Sequence, residues 1–384
     1  MLANTCSLFS KLCIRSSQRT LSIAVLKETQ DTNISPIFTK NSNPVEHDES
    51  CLNQIYRISP DIEKVIEGNL SSDLKKQAKI FQEIGILIRQ PAVEVISYLE
   101  QADYTKAINK YVLYGKEGVG KTTTLVHLIH YGLVKRFIVL HLPWVCTWFR
   151  YPKEVSQSPL EKDKLDLPID GEMWLKYFKT LNKLTLDQYD LKTSKEYIWS
   201  QREIIKSGDS LSNLIEFGID RKKFSCGVIN ALVEELKTAS IAGKCRTLVV
   251  IDGFNAFLSN CTRVCNENEK DVPPDKISIT SAFYNCVNYN WCNGAAILTV
   301  DKRATKDRRD SDDPIYLLGK KGFELLDPFV PICVEKYSRD EFKVILQYYT
   351  NRNWIRDISP GAEKEIELLT NKNPVEIWRF CRSI

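Results

Sequence analysis

The run Tyr111-Val-Leu-Tyr-Gly115-Lys-Glu117-Gly118-Val119-Gly120-Lys121-Thr122-Thr123 carries an apolar segment straight into G-x-x-x-x-G-K-T. That spacing is the pattern of a phosphate-binding loop. Gly115, Gly118 and Gly120 let the backbone curl so that its N–H groups point inward at a polyphosphate. The candidate cradle therefore runs from Gly115 through Glu117 and Val119 to Thr123, and the helix that follows turns its positive N-terminal end toward the same anion. Lys121 reaches for the β- and γ-phosphates, and the Thr122 hydroxyl is the candidate Mg²⁺ ligand. A second apolar run, Thr247-Leu-Val-Val-Ile-Asp252, ends in an acid suited to hold the water shell of the same Mg²⁺. Many nucleotide hydrolases follow that acid with a glutamate that activates water. Here Gly253, Phe254 and Asn255 follow instead, so hydrolysis is expected to be slow or to need outside help. At the end of a further apolar run, Thr299 and Asp301 are candidate sensors of the terminal phosphate.

Five apolar segments have strand character: Tyr111 to Tyr114, Phe137 to Leu142, Thr247 to Ile251, Ala295 to Val300 and Pro331 to Val334. Most are separated by helical patterns, as a parallel sheet with crossover helices requires. The expected fold is α/β, a P-loop NTPase of AAA-like type with a parallel five-stranded sheet and flanking helices. Residues 28–59 lack periodicity and read as an extended arm, and 60–335 as the nucleotide-binding domain. Helical patterning covers Leu74 to Arg89 and Ala92 to Leu99. The long gap at about 143–225 must hold an insertion. Within it Trp174, Phe178 and Leu181 share one helical face, which marks burial more readily than base stacking. Three further helical segments in 336–384 form a smaller lid. In signal-transducing ATPases of AAA-like type, residues ahead of the core and in the lid flank the purine, which nominates Arg89 and Pro374. The segment ending at Pro374 is not the Asn-Lys-x-Asp guanine signature, and nothing in these residues selects guanine over adenine.

The first 27 residues differ from the rest: Lys11, Arg15, Arg19 and Lys27 are basic, no acid precedes Glu28, and Ser and Thr are abundant. This is the composition of a mitochondrial transit peptide. Removing those four charges from a net charge of +4 leaves the remainder near neutral, so overall basicity does not argue for nucleic-acid binding. Two local basic runs are available, Arg221-Lys-Lys223 and Lys302 to Arg309, the second interleaved with aspartates. The 12 cysteines lack zinc-ligand spacing, and in a reducing matrix they are expected as thiols. No apolar run approaches the ~20 residues of a membrane span.

The chain resembles the death-associated protein family of the mitochondrial small ribosomal subunit. The likeness rests on Leu113 to Thr122, His127 to His130, Ile138 to Pro143, Trp174 to Thr180, Leu317 to Phe323, Leu326 to Pro331, Gln347 to Tyr349 and Asn353-Trp354. It covers the chain from about residue 60 onward. The resemblance implies a GTP-binding component of the subunit head with bound GTP or GDP and Mg²⁺, and extends nucleotide binding to Gly118, Gly120, Lys121, Thr122 and Asp252. It implies small-subunit rRNA, ribosomal proteins and the large subunit as partners, no homo-oligomer, and an apoptotic role for the family. A matrix NTPase that remodels or signals to a partner is the competing reading.

Overall fold

A computed structural model describes residues 37–67, 70–306, 310–355 and 359–382. The expected transit peptide lies outside the described residues. In chain order the elements are β1 (Ile55–Arg57), α1 (Pro60–Ile66), α2 (Ser72–Phe81), β2 (Gly85–Leu87), α3 (Gln90–Gln101), β3 (Asn109–Tyr114), α4 (Lys121–Val134) and β4 (Ile138–Leu142). The insertion follows with α5 (Cys146–Arg150), β5 (Ser156–Gln157), β6 (Leu165–Asp166), α6 (Pro168–Tyr189), β7 (Tyr197–Ile198), β8 (Ile204–Ile205) and α7 (Leu211–Asp220). Then come α8 (Ser225–Ile241), β9 (Thr247–Ile251), α9 (Ser278–Asn285), β10 (Gly294–Thr299), α10 (Pro314–Leu326), β11 (Val330–Cys333), α11 (Arg339–Asn351), α12 (Pro360–Thr370) and α13 (Pro374–Arg382).

The central sheet has the order β11-β3-β10-β9-β4, every pairing parallel. Its five strands are the five apolar segments of the sequence, because strands covered on both faces read as near-continuous aliphatic runs. Four residues of β9, Leu248 to Ile251, have no exposed surface. The sheet thus divides two apolar layers, one with α8, α9 and the insertion, the other with α3 and α4. Edge strand β4 is closed by a side chain rather than by another strand. Asn182 of α6 accepts from the Val139 N–H at 2.7 Å and donates to the Val139 carbonyl at 3.0 Å, so a neighbouring chain finds no free ladder at that residue. The insertion aromatics are core: Trp174 and Phe178 are buried and stack at 5.3 Å.

The expected helix from Leu74 to Arg89 ends early. Gln82 adopts left-handed backbone at φ 58°, and Gly85–Leu87 become β2, paired antiparallel with β1. Residues expected as an arm are described from Ile37 onward, and there Ile37, Ile55, Tyr56 and Ile58 are buried. β1 lacks a long apolar run because only three of its residues pair, too few to show a period. The three lid helices follow the sequence pattern. The first begins with a capping box, in which Ser338 and Glu341 each accept a backbone N–H.

Candidate functional site

The loop Gly115–Gly120 leaves β3 at its carboxyl end and enters α4, with Gly115, Gly118 and Gly120 at φ of 135°, 77° and 100°. A side chain at 118 would be strained by that backbone and would sit 2.6 Å from Asn373 Oδ1 of the lid. The lid is pinned on the loop itself, since Asn373 Nδ2 donates to the Glu117 carbonyl (2.8 Å) and the Val375 N–H to the Gly118 carbonyl (3.2 Å).

Two pairs form the floor. Thr122 Oγ1 donates to Asp252 Oδ2 at 2.7 Å, bringing the two expected Mg²⁺ residues together across 130 positions. Burial raises the Asp252 carboxyl above its usual range, against the hydrogen bonds from Thr299 and Thr122. Lys121 Nζ lies 3.0 Å from Asp301 Oδ2 and donates to the Gly115 and Lys116 carbonyls. Burial works against charge on Asp301, but Lys121 and then Arg303 outweigh it, so its carboxyl lies below the usual range. Both sensor candidates therefore reach the site by different routes: Thr299 braces Asp252 and the Gly253 N–H, and Asp301 meets the loop lysine.

These residues fit a magnesium nucleotide. The loop backbone is open where a Cβ would intrude, a buried ammonium stands beside it, and a hydroxyl and a carboxylate form a hard oxygen donor pair of the kind Mg²⁺ takes. Glu117, Val119 and Thr123 lie on the same loop and first turn, but the Glu117 carboxylate is drawn outward to Arg303 at 3.1 Å.

Arg89 does not flank a base by a free guanidinium. Its Nε meets Glu341 Oε1 at 2.7 Å, Nη1 donates to the Val119 carbonyl at 2.8 Å, and Nη2 donates to the Glu335 carbonyl at 2.8 Å. It packs over the Tyr337 ring at 4.9 Å. A buried cation needs this many acceptors, which makes Arg89 a rivet joining the loop, the last strand's exit and the lid. Arg89 and Pro374 do line one crevice, which also touches Gly118, Gly120, Thr123 and His127.

The position after Asp252 disfavours any side chain. Gly253 is left-handed at φ 80°, and a Cβ there would lie 2.9 Å from the Trp144 ring. Arg303 lies over the same Trp144 ring system, 5.3 Å from a centroid. Trp144 and Glu341 escaped sequence reasoning, whereas Arg303 was read only as part of a basic run and Asn373 only within the lid segment ending at Pro374. Only Glu341 carried a readable signal, Ser338-x-x-Glu341. The basic runs are largely paired: Arg221 with Glu203, Lys222 with Glu172, Lys302 with Asp312 and Lys306 with Asp271. Residues 307–309 of the second run lie outside the described residues.

Sheet and site together define the class, an α/β protein of P-loop NTPase fold. The chain belongs to the mitochondrial ribosomal death-associated protein 3 family, whose model matches residues 86–380. It is 33% identical over 348 residues to small ribosomal subunit protein mS29 of Bos taurus, covering 89% of this chain and 87% of that protein. The Mus musculus protein of the same name is 32% identical over 351 residues, covering 90% and 89%. Among solved structures, a Walker-type ATPase of Pyrococcus abyssi aligns with TM-score 0.39 and 13% identity over 76% of this chain and 65% of its own, a likeness too remote to carry weight. Family membership makes this a mitochondrial ribosomal protein, and hence a protein of the matrix.

Proposed function

We propose that this chain is a component of the mitochondrial small ribosomal subunit that holds a guanine nucleotide with Mg²⁺ as a resident structural ligand. The observation that carries the reading is the juxtaposition of the Thr122–Asp252 pair and the Lys121–Asp301 pair beneath a loop of left-handed glycines. The loop N–H groups and Lys121 would hold the phosphates, and Thr122 and Asp252 the Mg²⁺, which when bound neutralises phosphate charge. Asp301 orients Lys121, and Thr299 orients Asp252. The resident role is favoured by Gly253, because no water-activating carboxylate follows Asp252 and both the left-handed backbone there and the Trp144 ring, 2.9 Å from an added Cβ, oppose a side chain. Guanine follows from the family resemblance rather than from a base-reading motif.

The acid-free segment 1–27 fits an import signal. Assembly through protein and rRNA contacts is consistent with exposed apolar side chains such as Ile315 and Tyr316 on α10 and Leu368 and Leu369 on α12, since clustered apolar exposure marks interaction surfaces. The test is purification of the tagged chain from mitochondria, sedimentation with small subunits, and chromatography of the nucleotide released by acid. Co-sedimentation with near-stoichiometric guanine nucleotide is expected. A chain that runs apart from small subunits, or multiple turnover at about 1 s⁻¹ or faster in the free protein, would favour the matrix NTPase reading instead.

A further inference from the structure

Arg303 has an anchored backbone and a side chain poised at the mouth of the phosphate loop. Its N–H donates to Asp301 Oδ1 at 2.9 Å, and the Arg150 guanidinium donates to its carbonyl. The side chain itself is 50% exposed. Its guanidinium lies over the Trp144 ring and divides its donors between two carboxylates. Nε and Nη2 meet Asp301 at 3.1 and 3.4 Å, while Nη1 meets Glu117 of the loop at 3.1 Å. Asp301 Oδ2, which takes Nη2, also takes Lys121 Nζ at 3.0 Å. A single carboxylate oxygen therefore lies between this guanidinium and the loop lysine.

Lys121 is the residue that reaches the β- and γ-phosphates in a loop of this kind. A cation sharing an oxygen with it stands at the phosphate end of the site. The two carboxylates on Arg303 differ in how firmly they hold it. Asp301 is 3% exposed and pinned by Lys121, whereas Glu117 is 59% exposed, and an exposed ion pair contributes only about 0–1 kcal/mol. A terminal phosphate is a more highly charged acceptor than one carboxylate, and the arginine fork meets its oxygens in pairs. Resting on the nucleotide-bound state proposed above, we infer that Arg303 is a phosphate-binding residue supplied by this same chain, which exchanges Glu117 for the terminal phosphate and so makes the site prefer a triphosphate to a diphosphate. Trp144 supports the guanidinium plane, Asp301 keeps it beside Lys121, and Glu117 competes for it. The role is one of binding and charge neutralisation, not of water activation.

The experiment measures equilibrium binding of GDP and of the non-hydrolysable triphosphate GMPPNP, each with Mg²⁺, to the full chain. ADP and AMPPNP run in parallel, because the inference does not depend on the base. The quantity read is the ratio of triphosphate to diphosphate affinity, in which a general loss of nucleotide binding cancels. Arg303→Ala should lower that ratio about tenfold or more, the loss of one hydrogen-bonded contact between ions. Glu117→Gln should raise it by removing the competitor, and should leave it unmoved in the Arg303→Ala background. Arg303→Lys, which keeps the charge without the fork, should recover only part of the ratio. Both side chains are at least half exposed, so these changes spare the core. A ratio unchanged in Arg303→Ala overturns the inference, and so does a Glu117→Gln gain of equal size with and without Arg303. Full recovery by lysine also overturns it, because charge at a distance would then suffice. If no nucleotide binds, the nucleotide reading itself falls, an outcome distinct from diphosphate binding with an unchanged ratio.

Discussion

Acidification from pH 7 to 5.5 should destabilise this protein through its histidines. The chain has four, and His47, His127, His130 and His141 are all buried. Burial depresses each below the ordinary 6.5, His130 to about 4 and His141 to about 3, while the shifts of His47 and His127 share that direction. For a group lowered on folding, the stabilisation is complete above 6.5. It is lost as pH falls, because the unfolded chain takes up protons that the folded one refuses until its own lower pKa is reached. Linkage gives a loss of about 1.2 kcal/mol per such histidine between pH 7 and 5.5, so His130 and His141 alone account for about 2.5 kcal/mol. His47 and His127 add in the same sense. With an unfolding entropy near ~0.8 kcal/mol/K for a chain of this length, 2.5 kcal/mol lowers Tm by ~3 °C. The raised carboxyls of Asp166, Asp170 and Asp252 oppose the trend, so the decisive assay compares variants. Urea unfolding of wild type and of His130→Gln/His141→Gln across pH 5.5–7 should show a shallower pH dependence in the variant by about 2.5 kcal/mol. An identical slope in both proteins would refute the assignment of neutral, buried imidazoles.

Lys121→Ala should abolish nucleotide retention and, in protein saturated at 100 times Kd, remove about 2.7 kcal/mol of ligand-linked stability, read as a loss of the nucleotide-induced Tm increase; retention equal to wild type would contradict the phosphate-loop assignment. Arg89→Ala leaves Glu341 buried without its cation and frees the Val119 and Glu335 carbonyls, costing about 3–5 kcal/mol; thermal melts showing less than 1 kcal/mol would mean the lid is not riveted there. Gly253→Glu should destabilise the protein without creating turnover, since φ 80° and Trp144 both oppose the new side chain; rapid GTP hydrolysis by this variant would be the contrary result. Asn182→Leu should cost about 2 kcal/mol by leaving the Val139 N–H and carbonyl unmet at the β4 edge, with faster hydrogen exchange at Val139 as the local readout.

What the sequence determined by itself is local or periodic. The phosphate loop was legible because glycines adopt its positive-φ backbone without the strain a side chain brings, and those glycines lie within six residues of Lys121. The five strands were legible because strands buried on both faces need unbroken aliphatic runs, and the lid helices because amphipathic spacing and a capping box are written in adjacent residues. Asp252 was readable from its place at a strand's end. The tertiary structure alone decided what each long-range partner is. Arg89 meets Glu341 across 252 positions and so belongs to the lid rivet rather than to a free base clamp. His47 meets His127 across 80 positions inside a buried cluster of rings. Trp144 closes the space over Gly253, and Asn182 seals an edge strand. No spacing rule encodes these, because an arginine, a histidine or an indole has the same local propensity whichever partner it finds. Its role is set when the sheet order β11-β3-β10-β9-β4 brings distant loops to one edge and burial forces each polar atom to take the partner within reach.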